Sequence, residues 1–442
     1  MSQNFSYENS LWWSLVDHPN FNPKKIDSVW DVAIIGAGFS GLWCAYHLLS
    51  NNPELSIALF EQNQVGSGAS GRNGGWVSAL YPVSDRELAK NFNTEEIALL
   101  HSQLQKSIDE IAEFVELNAI DCGFSKGGSL SVARNRGQLK RITSQFPESF
   151  LDESAVKSRI AMRGAVGGLF TRHCAAVNPA ALVIGLASYL ESRGVSIFEF
   201  APARVSKQGL VVTQAGISHA INPRYVVEAV EAYRDRSRAQ IPIYSLMVAT
   251  QPLPQNIWDH IGLVDRETFA EHRHMVTYAQ RTSDNRLAIG GRGAPYLFGS
   301  RRRDSHENRK RTHQQIRELA ISWFPILENV EFTHAWGGAV GVTRDWSPYV
   351  HWDGHKGALG GYAGDGVTLS YLAAHSLADL MSGKNSDRAR LPYVQWRSKK
   401  WELEPLRWMG VNTAILLAEL ADVEERFTQR PSVLGKIIEK LF

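Results

Sequence analysis

The chain has 442 residues, 44% hydrophobic and 21% charged, with 47 Lys+Arg against 45 Asp+Glu. That balance is ordinary for a globular protein and points to no nucleic-acid or membrane partner. The three cysteines, Cys44, Cys122 and Cys174, are far apart. They suit neither a disulfide framework nor a zinc spacing, so a reducing, cytoplasmic setting is expected. The start, MSQNFSYENSLWWSLVDHPNFNP, lacks the basic and apolar runs of a signal peptide. No stretch approaches the ~18 continuous apolar residues of a bilayer span. Thirteen tryptophans suit either packing or a large aromatic ligand.

In chain order, DVAIIG (31–36) reads as an apolar, β-branched strand and SGLWCAYHLLS (40–50) as a helix. SIALFE (56–61) is a second strand, ending in Glu61 twenty residues after Gly41. Between strand and helix lies GAGFSG, so the segment has the context of a dinucleotide-binding βαβ unit. Gly36 makes the tight turn, Gly38 lets a pyrophosphate approach, and Gly41 lets helix and strand pack. Glu61 would accept hydrogen bonds from the adenosine ribose.

A second G-x-G-x-x-G comes at once in VGSGASGRNGG, residues 65–75. It starts too soon after Glu61 for a separate βαβ unit, and RNGG stands where a helix should begin. It is expected to be a loop lying along the same nucleotide, not a second site. A flexible linker is the alternative, but Arg72, Asn73 and Trp76 are costly residues for a spacer.

Residues 85–118 have helical periodicity, 127–135 strand character, and 178–194 a helix opened by Asn-Pro and closed at Gly194. VSIFEF, ARVSKQ, GLVVTQ and YVVEAV read as short strands, and residues 241–300 as a strand-rich region. The basic run SRRRDSHENRKRTH (300–313) opens a helix and is expected to be its solvated face. GALGGYAGDGVTLSYLAAHSLADLM (357–381) reads as strand, glycine turn, and a helix beginning near Gly366. Such a helix would aim its first N–H groups at a ligand. The last 57 residues (386–442) hold two helices with apolar stripes. They are expected to dock on the nucleotide domain, with a dimer face or membrane-surface contact as alternatives. EHRH (271–274) does not suit zinc, and no G-x-S-x-G elbow occurs, so no metal and no nucleophile are expected.

GxGxxG, a strand-end Glu, GASGRNGG and the C-terminal glycine motif, in that order, resemble the FAD-dependent oxidoreductases of the D-amino-acid oxidase superfamily. Within it they are most like gamma-glutamylputrescine oxidoreductase and related amine and aminophosphonate oxidoreductases. The resemblance implies an α/β plus antiparallel β fold of the D-amino-acid oxidase / glutathione reductase 2 type. A Rossmann-like FAD-binding domain (28–84, 165–235, 331–385) would interleave with a sheet-rich substrate domain (85–164, 236–330), followed by the C-terminal helical segment.

It further implies FAD contacts from Gly36, Gly38, Phe39, Ser40, Gly41, Glu61 and Gln62, and from Ala69, Ser70, Arg72, Asn73, Gly74, Gly75 and Trp76. Val205 would meet the adenine through its backbone. Gly361, Tyr362, Gly364, Asp365, Gly366, Val367 and Thr368 would face the pyrimidine end of the flavin. Where such proteins carry a small-residue stretch after the YVV strand, this chain has EAVEAY (228–233). Glu228 and Glu231 would repel the cofactor there unless they point outward.

The implied reaction is oxidation of the C–N bond of an amine or amino acid, with hydride passing to flavin N5. The imine then hydrolyses to an aldehyde or keto product, and no catalytic base is named. Substrate-side candidates are Arg292, Trp336, Arg344, Tyr349 and Tyr362, with Arg292 placed to grip an anionic substrate group. Arg344 has Asp345 beside it as an alternative partner. FAD is expected to be non-covalent, since residues 61–80 contain no Cys or His. The acceptor is oxygen or another oxidant; no lysine lies between Lys207 and Lys310, where some relatives activate oxygen. A non-amine, hydroxy-acid type oxidoreductase and a non-catalytic FAD-binding assembly protein share the same motifs. An NAD-dependent dehydrogenase would leave GRNGG unexplained.

Overall fold

The computed structural model describes residues 10–21, 25–145, 149–206, 209–233 and 238–441. The predicted βαβ unit forms as Val32–Ile35, the helix Phe39–Asn51, and Ile57–Phe60. Val32–Ile35 and Ile57–Phe60 pair in parallel, and Tyr225–Glu228 adds to the other side of Val32–Ile35. Lys356–Gly360, Tyr349–Trp352 and Ser196–Phe198 complete a six-stranded sheet, antiparallel only at the Tyr349–Trp352 edge. The period-2 alternation of its apolar strands divides them between two cores. Val32, Ile34, Ile57, Leu59 and Val227 face the helices Phe39–Asn51, Pro179–Ser192 and Gly366–Met381. Ala33, Ile35, Ala58, Phe60 and Val226 face a three-stranded sheet of residues 203–221, packing on Leu210, Val212 and Ile221.

The second body is an eight-stranded sheet. Gln240–Thr250 is paired antiparallel with Phe332–Thr343 on one side and Leu287–Gly291 on the other. The helix Lys310–Trp323 closes its core with Ile316, Ala320 and Trp323 and leaves Arg311 exposed, so part of the basic run does face water.

Three expectations differ from what folds. Residues 85–118 form two helices, Asp85–Leu88 and Thr94–Leu117, because Asn93 and Glu96 build a reciprocal capping box that restarts the chain. The packing does not respect the domain limits at 85 and 331. Thr94–Leu117 buries Leu100, Leu104 and Ile111 in the core beside the six-stranded sheet, whereas Phe332–Thr343 belongs to the eight-stranded one. The C-terminal helix Leu406–Thr428 turns most of its large apolar residues outward and docks through Val411 and through polar side chains, partly on residues 273–275 beside the eight-stranded sheet.

Candidate functional site

The two glycine loops meet. A Cβ on Gly41 would drive into the Gly36 carbonyl oxygen, so glycine is what lets the Phe39–Asn51 helix start against the strand. The second loop turns as a 3₁₀ segment, Ala69–Gly71, and returns to the first. Phe39 N donates to Ser70 Oγ at 2.9 Å, and Gly66 N donates to Ala37 O at 3.0 Å. Together the loops wall a cavity of about 600 Å³.

Of the FAD-contact candidates, Gly36, Gly38, Phe39, Ser40, Glu61, Gln62, Ala69, Ser70, Arg72, Asn73, Val205, Tyr362, Gly364, Gly366 and Val367 line that cavity. Glu61 accepts Ala37 N–H and Asn63 N–H, both at 3.0 Å, and burial raises its carboxyl above the usual range. Tyr362 and Ser40 share a hydroxyl–hydroxyl hydrogen bond of 2.8 Å, tying the C-terminal motif to the first loop. Thr368 is buried, and its hydroxyl meets no partner among the described residues. An orphaned hydroxyl in the first turn of a helix, beside a glycine cradle, fits a polar ligand at that helix start.

Two of the lining residues, Arg72 and Asn73, turn their polar groups to protein, and the candidates outside the lining lie behind the wall. Arg72 is 8% exposed and spends its guanidinium on protein. It pairs with Glu307 at 2.5 Å and donates to Gly337 O at 3.0 Å, Tyr233 Oη at 2.8 Å and Gly68 O at 3.2 Å. Asn73 Nδ2 donates to Ala69 O and Ser70 O, while Asn73 Oδ1 accepts Gly75 N–H. Gly74, Gly75 and Trp76 lie behind, toward the eight-stranded sheet. Gln280 Nε2 donates to Gly74 O at 2.7 Å, and Trp76 meets Tyr278 edge-on. Gly361 packs on Thr343 and Tyr349, and Asp365 precedes the Gly366–Met381 helix. Burial pushes the Asp365 carboxyl up to about 6 against the pull of Arg292.

The substrate candidates do not form one cluster. Arg292 is half-buried beside Gly364, donates to Ala363 O, and lies 5.2 Å over the Trp346 ring. Tyr362 is on the cavity wall. Trp336 is core: its Nε1 donates to Arg72 O at 3.0 Å, and Trp12 packs on it edge-on. Arg344 pairs with Glu402, at 2.9 Å, rather than with Asp345, and covers Trp401. Tyr349 packs against Gly360 and Gly361 and stacks on His351.

Glu228 and Glu231, repulsive to the cofactor unless they point outward, both line the cavity, and Glu231 is held there by backbone N–H groups. It is half-buried on the cavity wall, accepting N–H from Gly341 at 2.5 Å, Ala232 at 2.6 Å and Tyr362 at 3.3 Å. Burial pushes its carboxyl up to about 7, and these backbone donors oppose the rise. The tightness of that cradle is why it turns inward. Sequence reasoning also missed Glu307, hidden in a basic run, and Trp12, whose Nε1 donates to Asn73 O at 2.8 Å. Nothing local marks either residue.

A parallel sheet with a glycine turn, a strand-end Glu and a second helix start converging on one cavity defines a dinucleotide-binding α/β protein. Residues 31–380 match the DAO family, described as FAD dependent oxidoreductase, and the chain belongs to it. It is 28% identical to the probable oxidoreductase OrdL of Haemophilus influenzae, over 86% of this chain and 90% of that one. It is 25% identical to gamma-glutamylputrescine oxidoreductase of Escherichia coli, over 86% and 91%. Among solved structures, glycine oxidase from Geobacillus kaustophilus superposes with a TM-score of 0.69 at 21% identity, covering 84% of this chain and 100% of that one. The protein is thus an FAD-dependent oxidoreductase of the D-amino-acid oxidase type in fold and family. Among the described residues no helix is long and apolar enough to cross a membrane.

Proposed function

We propose that the protein oxidises the C–N bond of a small amine or amino acid bearing an anionic group. The product would be an imine that hydrolyses to a carbonyl compound. FAD, when bound, supplies the two-electron acceptor that takes hydride at N5. The observation that carries the reading is the convergence of all three glycine motifs on one cavity, in a chain whose relatives include gamma-glutamylputrescine oxidoreductase and glycine oxidase.

In this reading the first loop and the start of the Phe39–Asn51 helix hold the pyrophosphate, and Glu61 accepts from the ribose. Val205 borders the adenine. The start of the Gly366–Met381 helix and the Thr368 hydroxyl face the pyrimidine, where a helix N-terminus favours negative charge. Arg292 grips the substrate's carboxylate or phosphonate. It is already half-withdrawn from water, so a charged hydrogen bond formed there is little weakened by solvent. Positioning of a neutral amine does the remaining work, without a dedicated base. FAD is held non-covalently: residues 61–80 hold no Cys or His, and burial raises Cys174 to about 12, away from a reactive thiolate. The enzyme works in the cytoplasm and reacts slowly with oxygen, because no lysine stands between Lys207 and Lys310 to promote it.

Purified protein should be yellow and release its colour on acid precipitation. Anaerobic amines should bleach it, with anionic ones the most effective. A buried charged hydrogen bond is worth ~1.5–3 kcal/mol, so Arg292→Ala should raise KM about ten- to a hundredfold for anionic amines only. Equal loss on charged and uncharged amines would remove Arg292 from the substrate, and no bleaching by any amine would remove the amine reading itself.

A further inference from the structure

The helix Leu406–Thr428 leaves most of its large apolar side chains facing outward. Toward its own chain it buries Arg407, Asp422 and Glu425 alongside only two apolar residues, Val411 and Ala421, with Ile415 partly covered. Asp422 accepts Arg273 Nε–H at 3.0 Å and His274 N–H at 2.7 Å, and Glu425 pairs with Arg141 at 2.9 Å. Asn412 Nδ2 donates to Tyr296 O at 3.1 Å. Outward it exposes Leu406, Met409, Leu416, Leu420, Val423 and Phe427, the last at 80%, with Trp408 exposed at one edge of the stripe. Polar anchors inside and a continuous apolar face outside are what a helix shows when its second partner is another molecule. The family match ends at residue 380, so this helix lies beyond the shared catalytic body.

The spacing identifies the occupant. With the exposed Thr413 included, positions 406, 409, 413, 416, 420, 423 and 427 form one exposed stripe with alternating steps of three and four. That is the 3.5-residue repeat of a coiled-coil seam, which only a second helix can fill knob into hole. We propose that this face is the interface of a symmetric dimer, covered by the same helix of a second copy running antiparallel.

The register is self-complementary. Setting Leu420 opposite Leu416 of the second copy also sets Phe427 opposite Met409 and Val423 opposite Thr413. A two-fold axis repeats each contact, as an isologous interface requires. A parallel pairing would bring Glu419 against Glu424 twice. The antiparallel one brings Glu419 near its counterpart once and sets Arg426 beside Asn412. A membrane surface suits the helix poorly, since it carries four acidic and two basic residues, one of which, Arg407, is buried. Interfacial helices carry a basic polar face instead. Val433 and Ile437 of the next helix are also exposed.

The test uses the full-length, flavin-loaded chain in analytical ultracentrifugation. Wild type should sediment at twice the 49.3 kDa chain mass. Leu416→Asp/Leu420→Asp should weaken the dimer at least a hundredfold while the melting temperature and flavin spectrum stay unchanged. The native cysteines are buried, so a double variant, Thr413→Cys/Val423→Cys, reports the register. Mild oxidation should link it between chains, and Thr413→Cys alone should stay unlinked. A monomeric wild type overturns the proposal, whether or not it binds anionic vesicles. So does a Leu416→Asp/Leu420→Asp variant that remains dimeric. Linking of Thr413→Cys alone overturns the antiparallel arrangement.

Discussion

Residues 36–41 and 66–71 carry the same glycine spacing and reach the same cavity by opposite means. The first loop is a backbone device: Gly41 lets a helix start hard against the strand, and its N-cap residue, Gly38, has no side chain to cap it. The second loop is held by side chains. Asn73 bridges its ends, Arg72 bolts it to Glu307, and Trp12 covers its back. The residues after each motif decide the outcome, since SGLWCAYHLLS can run on as a helix and GRNGG cannot. A shared motif therefore does not imply a shared structure.

The difference between the loops should show most strongly at Arg72. Arg72→Met leaves Glu307 buried without its cation and should cost about 3–5 kcal/mol in urea unfolding. Adding Glu307→Leu should recover most of that. A loss under ~1 kcal/mol for the single variant would mean the pair is not what bolts the loop.

Asn73→Ala tests the bridge. It removes two donated bonds and one accepted bond within the loop, and should cost about 1–3 kcal/mol. FAD affinity should fall in parallel, because the loop walls the cavity. Wild-type stability together with wild-type FAD affinity would show the bridge to be dispensable.

Gly38→Ala, in the first loop, should change stability least. A Cβ there would meet Ser70 Oγ at 2.7 Å and push aside the hydroxyl that accepts Phe39 N–H, so unfolding should shift by about 0.5–1.5 kcal/mol. The same methyl enters the cradle at the helix start, and FAD should bind at least tenfold more weakly by fluorescence titration. A variant that binds FAD normally would place the pyrophosphate away from Gly38.

Much of the nucleotide half is legible along the chain because its determinants are local. The strand, turn, helix and Glu61 fall within about thirty residues, and the helix after Gly366 is announced by its own glycine turn. The substrate side is not, because its partners are remote. Nothing near Trp336 says that its indole will bond the Arg72 carbonyl, 264 positions away. Asp345 sits next to Arg344, yet the guanidinium turns to Glu402. Glu231 looks like a repulsive surface acid until the Gly341 and Tyr362 amides close round it.

Neighbouring residues are enough to dictate one dinucleotide site built from two glycine loops and a late helix start, since turns, strand period and helix caps are short-range properties. Long-range packing was needed to settle which polar residues face the cavity, which hold its wall, and that the last long helix turns its leucines outward. Those choices depend on which buried charge finds a partner. Arg72 and Glu307 stand 235 residues apart, and the fold alone brings them together.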